Sequence, residues 1–140
     1  MRTQRRTHGR SVRVEYLLLD EAASAGRARG LTSKFLARSR MRTGTRPAQI
    51  DDVKLVVSEL VTNATQHGRS ACRLRLHVSE ERVTVEVYDD SPLPPRVRPF
   101  TADGEHGRGL AMVRCLAQRL DVSAVTGGGK RVRAVLALPS

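Results

Sequence analysis

The chain has 140 residues, 39% of them hydrophobic, and a formal net charge of +11 at pH 7. That length suits one domain with a single core. Cys72 and Cys115 have no metal-ligand spacing and form no disulfide framework, so thiols in a reducing compartment are expected.

No apolar run approaches the roughly 20 residues that span a bilayer, and no apolar signal core follows the basic N-terminus. A cytoplasmic protein that does not enter membranes is therefore expected. Aromatic residues are confined to Tyr16, Phe35, Tyr88 and Phe100, so the core must come from Val, Leu, Ala and Ile. The basic charge is nearly all arginine, with Lys only at 34, 54 and 130. Part of it sits in the first residues, as Arg2, Arg5, Arg6, Arg10 and Arg13, and the rest is scattered. Basic composition without a reading motif is weak evidence for nucleic-acid binding, which is not the expected function.

Residues 1–10 read as a basic, disordered tail, and 11–140 as one domain. Val12, Val14, Tyr16 and Leu18 alternate as a first strand ending near Leu19. Asp20 is placed to cap a helix through Ala22, Ala25, Ala28, Leu31, Phe35 and Leu36, and Arg40 to Pro47 reads as a basic connector. A second helix is carried by Ile50, Val53, Val56, Val57, Leu60, Val61 and Ala64 at a 3.6-residue period. Asp51 and Asp52 suit its positive N-terminal end, and Gly68 is a natural stop.

Two strands follow, one with Cys72, Leu74, Leu76 and Val78, the other with Val83, Val85 and Val87; Ser79 to Arg82 joins them as a hairpin. From Ser91 to about Gly107 the pattern gives way to Pro92, Pro94, Pro95 and Pro99, then Gly104, a long irregular loop. A helix is predicted after Gly109, through Leu110, Met112, Val113, Leu116, Ala117 and Leu120. Gly127–Gly129 makes a turn before a last strand with Val132, Ala134, Leu136 and Leu138.

Three groups of residues carry chemistry. Glu59 and Asn63 stand four apart on the second helix, so they share a face beside the apolar stripe. A carboxylate next to a carboxamide can orient a hydroxyl and complete a Mg²⁺ shell with oxygen, although such pairs are also ordinary helix-surface features. Asp89 ends an alternating strand, where a carboxylate can accept from the amine of adenine or simply form a turn before Ser91-Pro92. Gly107-Arg108-Gly109-Leu110 at a helix start lets backbone approach phosphate oxygens, or acts as a hinge. Neither a Rossmann glycine pattern nor a P-loop is present.

Taken together these residues resemble the bacterial anti-sigma-factor serine/threonine kinases, a branch of the histidine-kinase-like (GHKL, Bergerat-fold) ATPases. Their N-box is similar to Ser58-Glu59-Leu60-Val61-Thr62-Asn63-Ala64-Thr65-Gln66-His67-Gly68, and their second glycine box to Gly107 through Val113. The first glycine box resembles Val87-Tyr88-Asp89-Asp90-Ser91-Pro92, with Ser91 and Leu93 where glycines are usual; Arg131 follows Lys130 where a threonine is common.

The resemblance implies an α+β fold: a two-layer sandwich, a mixed but mostly antiparallel sheet with helices on one face, and ATP under the long loop. It implies Glu59 as the base activating a serine hydroxyl, Asn63 as the Mg²⁺ ligand and Asp89, in preference to Asp90, at the adenine amine. Gly107, Arg108, Gly109 and Leu110 would take the phosphates, with His67 and Ser91 in the same nucleotide-binding set. Arg29 matches an arginine of partner contact. The implied partners are an anti-sigma-factor antagonist, a sigma factor and a second copy of the chain. The rival expectation is a non-catalytic protein-binding regulator with a degenerate nucleotide site.

Overall fold

The computed structural model describes residues 2–6, 11–19, 22–67, 71–90 and 105–138. Along them run β1 (Arg2–Arg6), β2 (Val12–Leu18), α1 (Ser24–Thr43), α2 (Pro47–His67), β3 (Cys72–Val78), β4 (Arg82–Asp89), α3 (Glu105–Leu116), β5 (Arg119–Ala124) and β6 (Lys130–Ala137). The strands form one sheet in the order β1-β2-β3-β4-β6-β5.

Strand register gathers the apolar residues on one side, because alternate residues face opposite ways. Val14, Leu76, Val85 and Ala134 make one buried cross-strand row; Tyr16, Leu74, Val87 and Val132 make the next. Helices cover this side: α1 against β2 and β3, α2 against β3, β4 and β6, and α3 against β5 and α2. The result is the expected α+β two-layer sandwich. Every pairing among the described strands is antiparallel, so the mixed sheet of the expectation is corrected to an antiparallel one.

Among the described residues no helix covers the opposite side of the sheet, which is charged. Glu15, Arg75, Glu86, Arg133 and Asp121 form a cross-strand row of alternating sign. Glu15 bridges Arg75 at 3.1 Å and Arg73 at 3.6 Å, while Arg73 and Arg75 both sit over the Tyr88 ring. Much of the arginine is thus spent covering one sheet face with paired charge.

The helices differ from expectation mainly at their ends. The Asp20 cap lies outside the described residues; α1 starts after Ala23, with the Ser24 hydroxyl donating to the Leu19 carbonyl. The helix then continues to Thr43, well into the stretch expected as a connector. Its buried stripe is Ala28, Thr32, Phe35, Leu36, Ser39 and Thr43. The three hydroxyls are affordable there because each donates to the carbonyl four residues back, at 2.7, 2.7 and 3.0 Å. Gly44 ends α1 in the left-handed region, φ +72°, its N–H bonding Arg40 O at 2.8 Å.

Pro47 then opens α2, and the Gln49 side chain accepts from the Arg46 N–H at 2.7 Å, half of a capping box. Because α2 starts there, Asp51 and Asp52 fall in its second turn rather than at the N-terminus.

Two strands were not expected. Arg2–Arg6, read as disordered tail, pairs with β2 from Arg2 opposite Tyr16 to Arg6 opposite Val12. This is an edge strand held by backbone bonds, with no apolar alternation to announce it. The helix expected to reach Leu120 ends at Leu116, and Arg119–Ala124 becomes β5. Leu120 and Val122 alternate toward the core opposite Ala134 and Val132, a period that a strand satisfies.

Candidate functional site

Asp89 is the last residue of β4, in phase with the buried Val83, Val85 and Val87. The strand therefore turns this carboxylate to the helix-covered side, where it extends the apolar rows; Asp90, beyond the strand, is exposed. Its cross-strand partner is Lys130, the first residue of β6. Lys130 Nζ lies 3.6 Å from Asp89 Oδ2, and the two side chains are 12% and 0% exposed. A buried carboxylate facing an ammonium keeps its charge partnered where water is scarce.

The crossing of β4 and β6 at this point depends on Gly129. Its φ is +89°, and a Cβ there would fall on the Asp89 carbonyl oxygen and 3.3 Å from Asp90 Cα. Only glycine permits both the conformation and the approach. The Gly-Gly-Gly run signalled a turn in the sequence; its packing against Asp89, and the Lys130 pair that follows, had no local signal.

Glu59 and Asn63 are both half-buried on α2. On a 100°-per-residue wheel they share one flank of the stripe made by Val53, Val56, Leu60 and Ala64. Ser58 lies on the other flank, where its Oγ accepts from Arg29 Nη1 of α1 at 2.8 Å. α1 thus takes the Ser58 side, and β4 and α3 are, after α1, the neighbours that α2 meets most extensively. His67 is the last residue of α2, and its side chain lies outside the described atoms, as does Ser91 as a whole.

Gly107, Arg108, Gly109 and Leu110 lie within α3, not ahead of it, because the helix begins at Glu105. Their side chains are outside the described atoms. Within α3 the amides of Glu105 to Gly107 have no acceptor inside the helix, and Arg108 closes that first turn; Gly109 and Leu110 fall in the next. A first turn of this kind presents N–H groups and a positive dipole end to an anion.

α2 is therefore the common neighbour of the strand that carries Asp89 and the helix that carries the glycine pair. The arrangement can offer a base acceptor, oxygen ligands for a hard cation and amide donors for phosphate. Among the described residues no three His, Cys, Asp or Glu side chains converge as a metal cage. No helix among them is long and apolar enough to cross a membrane.

No curated protein matches the chain. A family model, the histidine kinase-like ATPase domain, matches residues 18–136, from the end of β2 into β6. With that model spanning well over half of its length, the chain belongs to the histidine kinase-like ATPases and carries their ATP-binding domain.

Proposed function

We propose that the protein is a cytoplasmic serine/threonine kinase that uses ATP to phosphorylate an anti-sigma-factor antagonist, and that it also sequesters a sigma factor. The observation that carries the reading is Asp89, a buried carboxylate at a strand end in the helix-facing register, on a domain of the ATP-binding family. Asp89 accepts from the adenine amine, a contact that guanine's carbonyl cannot make with a carboxylate alone. The first turn of α3, with Gly107 and Arg108, holds phosphate oxygens, and Gly109 and Leu110 support that turn.

Asn63 supplies a protein oxygen to Mg²⁺. Mg²⁺ commonly takes one or two protein ligands plus phosphates and water, so a cage of three acids is not required. When bound, Mg²⁺ neutralises charge on the phosphates. Glu59, four residues from Asn63 on the same flank, takes the proton as the serine oxygen attacks the γ-phosphorus and the bond to the ADP oxygen breaks. A carboxylate is a modest base, so most of the rate comes from positioning. Arg29, on α1, belongs to the partner-contact surface in this reading, as does self-association into a dimer.

The test is γ-phosphoryl transfer from labelled ATP to purified anti-sigma-factor antagonists. Glu59→Gln should retain ATP binding while transfer falls by about 100-fold or more. Unchanged transfer removes Glu59 as the base.

The Lys130–Asp89 ion pair also favours a second reading, a protein-binding regulator whose nucleotide site is degenerate, since Lys130 already engages the base-reading acid. A folded protein that binds an antagonist or sigma factor but no ATP supports that alternative.

A further inference from the structure

Asp89 and Lys130 are directly opposed across β4 and β6, so both side chains leave the sheet on the helix-covered side. Their 3.6 Å separation is an ion-pair contact, longer than a hydrogen bond. A carboxylate offers about four acceptor positions and an ammonium three protons, so the ion pair by itself saturates neither group. Gly129, packed on the Asp89 backbone, fixes the spacing of the strands at this step.

We infer that Lys130 reads the base together with Asp89, and that the site takes guanine as well as adenine nucleotides. The inference rests on the proposal that Asp89 receives the base. A lone carboxylate accepts from the 6-amine of adenine and repels the 6-carbonyl of guanine. A carboxylate beside an ammonium is a different edge, one acceptor and one donor side by side. The adenine amine donates to Asp89 while adenine N1 accepts from Lys130. Guanine satisfies the same two groups in the opposite sense: its 6-carbonyl accepts from Lys130, and its N1–H donates to Asp89. Neither orientation leaves a charged group facing a like partner, the situation that makes polar sites reject the wrong ligand strongly.

Calorimetric titration of the full chain with Mg²⁺-ATP and Mg²⁺-GTP tests this. GTP affinity is expected within about tenfold of ATP affinity, a difference of about 1.4 kcal/mol. A preference for ATP beyond about 100-fold overturns the inference and leaves the ATP proposal standing; binding of neither nucleotide overturns both. Lys130→Met should raise the ATP-to-GTP preference at least about tenfold: adenine loses only the contact to N1, whereas guanine is left with an unpaired 6-carbonyl beside the Asp89 carboxylate. Lys130→Arg, which keeps a cationic donor, should restore a near wild-type ratio. An unchanged ratio in a Lys130→Met protein that melts cooperatively also overturns the role of Lys130. Should that variant not fold, the wild-type ratio and Lys130→Arg still decide the matter.

Discussion

Gly129→Ala concentrates the consequences of the β4–β6 crossing in one methyl group. An L-residue at φ +89° costs about 1–2 kcal/mol in backbone strain. The added Cβ also falls on the Asp89 carbonyl oxygen, a backbone atom that cannot rotate away. Moving that segment costs about 1–3 kcal/mol more, as overpacking does elsewhere. The sum is roughly 2–5 kcal/mol, a large share of the ~5–15 kcal/mol typical of a domain.

Gly128 supplies the control. It has φ +106° and nothing within 4 Å of its would-be Cβ, so Gly128→Ala carries strain alone. Thermal melting followed by circular dichroism separates the cases, at about 3 °C per kcal/mol for a chain of this size. Gly129→Ala should melt about 3–9 °C below Gly128→Ala. It should also bind ATP more weakly, because the Asp89 backbone has moved. Equal melting temperatures for the two variants would refute the claimed contact.

Other expectations concern the open sheet face and the candidate base. Burial pushes the His77 imidazole below its ordinary value of 6.5, the Arg13 and Arg82 charges add to that, and Glu86 opposes it. The neutral ring is favoured in the fold, so its stabilising contribution is present above pH 6.5 and is lost as pH falls toward the lower folded value. His77→Gln should flatten the fall of stability as pH drops below 6.5 in urea titrations; an unchanged slope rules His77 out as its source. Glu59→Gln should melt within ~0.5 kcal/mol of wild type, so that its loss of transfer is chemical and not a folding defect.

The two layers were legible because period and register agree. The stripe from Val53 to Ala64 on α2 and the alternation through Leu74, Val87 and Val132 can each be satisfied in only one way. Thr32, Ser39 and Thr43 hid the true length of α1, since their burial relies on back-bonds to α1 carbonyls that composition does not reveal. β1 hid because an edge strand of Arg, Thr and Gln draws its cohesion from the backbone ladder. Spacing and strand position suffice to single out Glu59, Asn63 and Asp89 as candidates. They do not single out Lys130: it is 41 residues from Asp89 in sequence, and only the antiparallel register of β4 with β6 sets the two side by side.

The central claim is that Asp89 holds the base of a bound nucleotide, and titration of wild type and Asp89→Asn with Mg²⁺-ATP tests it most directly. Loss of a hydrogen bond to a charged group costs about 1.5–3 kcal/mol. We expect saturable binding by the wild type and binding roughly 10- to 100-fold weaker by the variant. Equal affinity in the two proteins, or no binding by the folded wild type, contradicts the account.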